Sequence, residues 1–232
     1  MPLKNTKNNL PDSDLFITRK RKKYKFAKFD EMENCFQASE WVDFKKNPPS
    51  VIVEVGAGTG LFSVKMAQNH PENFYVAVDI KSDRLYSGAK MANELKLKNI
   101  AFVRSDIWNL SELFPKKNVA EIWITFPDPY ANEDQTKLKT SDAKHRLTHS
   151  RFLEIYKQLF LAESPAKLHF KTDNWPLFEW SKEQFLQNGW TVTESTNNLH
   201  NSNLADDYKI KTTYEERFTA EGLPIYLLTA TI

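Results

Sequence analysis

From Val51 onward, apolar and polar positions fall into two kinds of short run that take turns along the chain. Val51 to Val55 is apolar apart from Glu54, the composition of a strand covered on both faces. Leu61 to Asn69 then sets Phe62, Lys65, Met66 and Asn69 at three- and four-residue intervals, which is helical spacing, and Pro71 stops the run. Phe74 to Val78 reads as a second strand ending at Asp79, and Ser82 to Leu97 as a helix with Ser82 as its cap. Ile100 to Arg104 reads as a third strand ending near Asp106, and Ala120 to Phe126 as a fourth. Farther on, the pattern predicts a helix over Arg151 to Leu161, a strand at Lys167 to Lys171 and a helix over Pro176 to Asn188. Strands at Trp190 to Glu194 and Ile225 to Ile232 close the chain as an antiparallel pair. Strands alternating with helices predict an α/β domain around a mostly parallel sheet.

Composition narrows this picture only in places. A chain of 232 residues buries a core of ordinary size, so one domain with embellishments is expected. Asn47-Pro48-Pro49 is a linker signal, which divides the chain into a basic, partly flexible N-terminal extension over 1–49 and a folded domain over 50–232. Net charge is +2, too small to select a partner, but residues 19–25 (RKRKKYK) hold six positive charges, a run suited either to a phosphate backbone or to a solvated tail. No window approaches the roughly 18 apolar residues of a membrane span, and MPLKNTKNNLPDSD lacks the apolar core of a secretory signal. A cytoplasmic protein without a membrane partner is therefore expected. The single Cys35 excludes an internal disulfide and a multi-cysteine zinc site. His145, His149 and His169 have no cysteine partners and form no HxxxH with a glutamate between the histidines, so no metal is expected, and His149 reads as a helix-start or packing residue. Phe152, Tyr156 and Phe160, four apart, read as the core face of a helix.

The candidate chemistry gathers at strand ends, where open parallel sheets bind ligands. Gly56, Gly58 and Gly60 follow the first of these strands and allow a tight turn and close approach of a ligand. A dinucleotide fingerprint would need glycine where Leu61 stands, so a nicotinamide site is not indicated. A GxGxG loop preceded by Glu54 resembles instead the cofactor loop of Rossmann-like S-adenosylmethionine methyltransferases. Asp79, at the next strand end, is placed to accept both ribose hydroxyls, and Asp106 to accept from an adenine amino group. The fourth strand stops at Pro127-Asp128-Pro129-Tyr130, where two prolines fix the backbone around one carboxylate. Such stiffness suits a residue that orients an acceptor atom in line with a methyl donor.

Four stretches, FPDP after the fourth strand, KHRLTHSRFL, KTDNW and TTYEERFTAEGLPIYLL, together resemble the bacterial tRNA (guanine-N7)-methyltransferase family over about residues 50 to 232. The resemblance implies a Rossmann-like class I methyltransferase fold: a mostly parallel seven-stranded sheet, helices on both faces and an antiparallel strand near the C-terminus. It implies S-adenosylmethionine as donor and guanine 46 of the tRNA variable loop as acceptor, with tRNA and not DNA as partner, in a monomer or homodimer. By matching motif, Glu54, Gly56, Gly58, Gly60, Asp79, Asp106 and Asp128 would hold the cofactor, and Asp128 would also be the catalytic residue. Asp173, Thr212, Thr213, Tyr214 and Glu215 would hold the substrate. Asn132 stands where the family places a substrate-binding lysine, and residues 131–143 are longer and less basic than the family's segment. RNA phosphates would then fall to Lys144, His145, Arg146 and Arg151, with the 19–25 run. Guanine N7 has a lone pair and no proton, so transfer needs no general base, and Asp128, Asp173 and Glu215 are candidates to bind the N1 and N2 donors and offset the charge that develops. Two alternatives remain open on the residues: an amino methyltransferase acting on adenine or cytosine, suggested by the likeness of FPDPY to a DPPY loop, and a nucleic-acid-binding module without turnover.

Overall fold

A computed structural model of the protein describes residues 12–44, 48–115, 117–161 and 166–232. Among these, one sheet contains β1 (Cys35–Gln37), β2 (Val51–Val55), β3 (Tyr75–Asp79), β4 (Ile100–Arg104), β5 (Val119–Thr125), β6 (Lys167–Thr172), β7 (Thr191–Thr196) and β8 (Tyr226–Thr231). Their spatial order is β1-β4-β3-β2-β5-β6-β8-β7. The pairs from β1 through β6 are parallel, whereas β8 runs antiparallel to both β6 and β7. The helices are α1 (Asp12–Asp30), α2 (Ala38–Val42), α3 (Leu61–Asn69), α4 (Ser82–Glu94), α5 (Leu110–Leu113), α6 (Ser150–Lys157), α7 (Trp175–Gln187) and α8 (Thr213–Ala220). No helix among the described residues is long and apolar enough to cross a membrane.

The strand reading holds to within a residue or two, and β2, β4 and α3 match their expected bounds. The sheet has eight strands where seven were expected. The extra one, β1, pairs its three residues with β4 at Cys35–Phe102, Phe36–Val103 and Gln37–Arg104, and three residues are too few to display an alternation. A boundary at residue 49 consequently does not separate the fold. Trp41 and Phe29 are fully buried, and Trp41 sits among Phe36, Phe44 and Phe114 with its indole N–H donated to Leu113 O at 3.1 Å. The first eleven residues, where part of the expected tail falls, lie outside the described residues. Ser82 is the first residue of α4 and not its cap, a position taken by Lys81.

Strand order reverses between β2 and β5: β2 leads outward to β3 and β4, whereas β5 leads the other way to β6. Loops leaving β2 and β5 therefore diverge at the carboxyl edge and leave a crevice. Its floor is set by a close helix contact. Gly88, within α4, donates its N–H to Thr59 O at 2.9 Å, and a Cβ there would stand 2.3 Å from that same oxygen and 2.8 Å from the Phe102 ring. Helix α4 thus lies directly on the glycine loop. Gly88→Ala must push the two apart, and we predict a loss of about 1–3 kcal/mol in urea unfolding, the usual cost of overpacking. Wild-type stability in that variant would show that the contact yields freely.

Candidate functional site

The turn after β2 is possible only because of its glycines. Gly56, Gly58 and Gly60 have φ of +70°, +57° and +69°, the left-handed region that side chains disfavour. At Gly60 a Cβ would also meet Phe102 at 2.7 Å, while at Gly58 it would meet nothing within 4 Å, so the loop turns an open backbone face to the crevice. Asp79 ends β3 and is tied into this loop: one carboxylate oxygen accepts from Gly58 N and the other from Lys81 N, each at 2.8 Å.

Glu54 lies beneath, with 2% exposure. One of its oxygens accepts from the Ser63 hydroxyl at 2.6 Å and the other from the Thr125 hydroxyl at 2.7 Å, joining the start of α3 to the end of β5. Burial pushes its carboxyl up to about 7, against the hydroxyl hydrogen bonds that favour the ionised form.

Past Thr125 the chain makes a turn that is costly in isolation. Phe126 and Tyr130 have φ of +50° and +49°, and between them Pro127 and Pro129 hold Asp128. The Asp128 carboxylate accepts from Tyr130 N at 2.9 Å and is exposed to the crevice. Arg146, 2% exposed, fixes the turn from below by donating to Pro129 O at 2.8 Å, Tyr130 O at 3.2 Å and Lys139 O at 2.7 Å, with its guanidinium 4.9 Å from the Trp180 ring. The residue expected to grip phosphate is instead an internal clamp.

Two connected chambers result. The first, about 570 Å³, is lined by the glycine loop, Glu54, Asp79, Asp128, His145, Thr212 and Tyr214. The second, about 1000 Å³, is lined by Asp173, Trp175, Gln135, Thr136 and Tyr226. Arg84, Phe126, Pro127, Asp128 and Tyr214 border both, so Asp128 stands at the junction. Tyr214 O–H donates to Asp173 at 3.3 Å across the second chamber, and burial raises the Asp173 carboxyl above its usual range. Asp106 borders a neighbouring cavity that shares Ile80 with the first chamber, and its carboxylate accepts from Trp108 N at 3.1 Å.

Of the expected substrate residues, Asn132, Lys144, Arg151 and Glu215 stand elsewhere, while His145 and Thr212 border the first chamber. Asn132 closes its own loop, accepting from Lys137 N at 2.9 Å, and Arg151 lies over Trp108 at 3.5 Å. Lys144 is exposed in the 140–145 turn, outside both chambers. His145 lies against Tyr130, with ring centroids 5.5 Å apart. Thr212 caps α8, accepting from Glu215 N at 3.0 Å; the Thr213 side chain lies outside the described residues. Glu215 is fully buried, not open to substrate. Its oxygens take Lys171 Nζ at 2.7 Å and His200 Nε2 at 2.8 Å, and one also takes Thr212 N at 3.2 Å. His149 caps α6, accepting from Arg151 N at 3.3 Å.

Sequence reasoning missed Arg84, Thr125 and Lys171. Lys171 had a signal, a lone lysine inside LHFKT two residues before Asp173 and so on the same face of the strand. Its ammonium is buried and donates to Ile210 O at 3.0 Å as well as to Glu215, while its carbonyl accepts from Phe126 N at 2.8 Å. One residue thus anchors the Asp128 turn, the start of α8 and the strand that carries Asp173. Desolvation lowers the Lys171 ammonium below its ordinary range, opposed by Glu215 and Glu54.

Fold and site define a Rossmann-like methyltransferase, and known proteins agree. Similar folds include a solved "Structure of an antibiotic related Methyltransferase" (TM-score 0.58, 18% identity, 84% of this chain and 92% of that one). Another is a 16S rRNA (adenine(1408)-N(1))-methyltransferase from Catenulisporales acidiphilia (TM-score 0.56, 17% identity, 85% and 93%). Residues 48–228 match the family described as "Putative methyltransferase". Relatives named tRNA (guanine-N(7)-)-methyltransferase include proteins of Cytophaga hutchinsonii, 36% identical over 90% of this chain and 96% of that protein, and of Brevibacillus brevis, 35% identical over 84% and 86%. The chain belongs to the bacterial tRNA (guanine-N7)-methyltransferase family.

Two predictions follow from the buried charges. The Glu54 carboxyl is raised from 4.5 to about 7 in the folded state, so the unfolded chain loses this proton first and stability falls as pH rises between those values. Glu54→Gln removes that slope: relative to the variant, wild type should lose about 3 kcal/mol of unfolding free energy from below pH 4.5 to above pH 7. Parallel curves would place the ionisation elsewhere. Separately, Lys171→Met strands the Glu215 carboxylate and should cost about 3–5 kcal/mol, and adding Glu215→Gln should recover most of it. A double variant no more stable than the single one would mean that the ion pair is not the source of the loss.

Proposed function

We propose that the protein transfers the methyl group of S-adenosylmethionine to N7 of guanine 46 in tRNA, acting in the cytoplasm. The observation that carries this reading is the junction: one exposed carboxylate, Asp128, stands where a glycine-floored chamber opens into a second chamber lined by aromatic rings and Asp173. The names of the relatives support a guanine N7 acceptor and a tRNA substrate.

The glycine loop fits the cofactor, because the open face at Gly58 admits close approach and Asp79 keeps acceptor capacity beside it. Bound there, S-adenosylmethionine would supply an electrophilic methyl group. Asp79 would accept from ribose hydroxyls and Asp106, beyond Ile80, from the adenine amino group. In the second chamber Asp173 would accept from the N1 and N2 donors of guanine, with Trp175 and Tyr214 as flanking rings. N7 already bears its lone pair, so no residue has to remove a proton, and the ring becomes cationic as the bond forms. Asp128, held rigid at the junction, offsets that charge without rearranging. Glu215 acts at a distance, by holding α8 where it presents Thr212 and Tyr214.

Purified protein incubated with S-adenosylmethionine and unmodified tRNA should yield 7-methylguanosine on nuclease digestion and mass spectrometry, at position 46 when the RNA is cleaved at the modified base. Asp128→Asn should lower turnover about 100-fold or more with the circular dichroism spectrum unchanged. A methyl group on an exocyclic nitrogen would transfer the site to the amino-methyltransferase class, and near-normal turnover in the variant would remove Asp128 from its role.

A further inference from the structure

Helix α1 carries a charge that the cleft does not account for. From Leu15 to Phe29 it holds seven lysines and arginines and no acidic residue. Its position is set by Phe29, fully buried against the α4 side of the core, and by Phe26, whose ring lies 4.5 Å from the Arg104 guanidinium. Arg104 ends β4, which brings this part of α1 to the carboxyl edge of the sheet, the edge that holds the cleft. Farther toward the N-terminus of α1, Lys20, Arg21, Tyr24 and Lys25 form a groove of about 300 Å³ with Tyr86. Tyr86 stands near the start of α4, which leaves the same edge, and two residues before it Arg84 borders both chambers. The residues from Lys20 to Lys23 are exposed, and Tyr24 is 58% exposed. Of the acids that close the helix, Asp30 accepts from the Gln37 amide at 2.7 Å, and Glu31 pairs with Lys28, one of the seven.

We propose that α1 and the start of α4 form a docking surface for the sugar-phosphate backbone of the RNA substrate, with Arg84 leading from that surface to the cleft. The inference rests on the RNA-substrate reading above. Clustered, exposed cations with two tyrosines among them suit a polyanion that also offers ribose and base faces. RNA is favoured over a membrane surface because these cations lie at the same edge of the sheet as the cleft, although Tyr24 and Phe26 remain exposed on the helix.

The test compares the full chain with an Arg21→Glu, Lys22→Glu, Lys25→Glu variant for tRNA binding over a series of salt concentrations. An Arg21→Gln, Lys22→Gln, Lys25→Gln version serves if the reversal unfolds the helix. Expected are an affinity loss of at least about 10-fold at low salt and a salt slope shallower by roughly 0.7–0.9 for each contact removed, with S-adenosylmethionine affinity and melting temperature unchanged. Affinity and slope equal to wild type overturn the proposal, and if wild type still forms product, the function stands without it. If wild type binds tRNA but methylates none, the functional reading fails while the same binding comparison still decides the surface. Loss of binding to phosphatidylglycerol vesicles with RNA binding unchanged would overturn it in favour of a membrane surface.

Discussion

Three ionisable side chains with no more than 2% exposure, Glu54, Lys171 and Glu215, lie under the floor of the cleft, and what they connect decides where every functional loop stands. Each charge taken from water costs several kcal/mol unless its partners are fixed, so the arrangement persists only with those partners in place. Glu54 draws together Ser63 and Thr125, 62 positions apart in sequence and on opposite sides of the crevice. Lys171 and Glu215 draw together the end of β6, the 199–201 turn, Ile210 and the cap of α8. Glu54 also favours the charged form of Lys171 against desolvation. An apolar floor would be cheaper to bury, but it would leave the glycine loop, the Asp128 turn and α8 without fixed registers relative to one another.

The Asp128 turn shows what that anchoring is for. Two non-glycine residues in the left-handed region cost about 1–2 kcal/mol each, which an unsupported loop would relieve by turning elsewhere. Here Phe126 N is held by the Lys171 carbonyl, and Pro129 and Tyr130 by Arg146. The prolines remove what freedom remains on either side of the carboxylate. Strain and support together deliver one side chain to the junction of two chambers, and neither the sequence of the turn nor the clamp would do so alone.

The interior of the fold could be read from periodicity because β2 to β5 are largely covered on both faces and marked by β-branched residues, and β6 by buried Leu168 and Phe170. What escaped reading has a common cause in long-range partners. Cys35-Phe36-Gln37 becomes a strand only because β4 leaves an unpaired edge beside it. Helix α1 has a run of cations between its apolar residues at Leu15 to Ile17 and those at Tyr24 to Phe29, which interrupts any helical period. At the site, the carboxylates at strand ends were legible, since Glu54, Asp79 and Asp128 do face one crevice. Arg146 and Glu215 were legible as charged residues in a motif but not as buried ones. Nothing in KHR or TTYE indicates that three carbonyls surround one guanidinium, or that a lysine 44 positions earlier neutralises the glutamate.

Charge in this fold is sorted by depth, and the sorting matches the proposed reaction. Carboxylates line the chambers: Asp79, Asp128 and Asp173 face the crevice, and Glu54 borders it from beneath. Two exposed cations, Lys81 and Arg84, also border the first chamber, and others stand along α1. A negative interior favours a cationic donor and a ring that turns cationic, because both gain from fixed carboxylates without waiting for solvent to reorganise. On the proposed reading, the same interior would repel a phosphate backbone, so the polyanion would be held where the rim is positive and only the base would enter. On that reading, separating the two functions in space would let one small domain attract a polyanion and stabilise a cation within the same cleft.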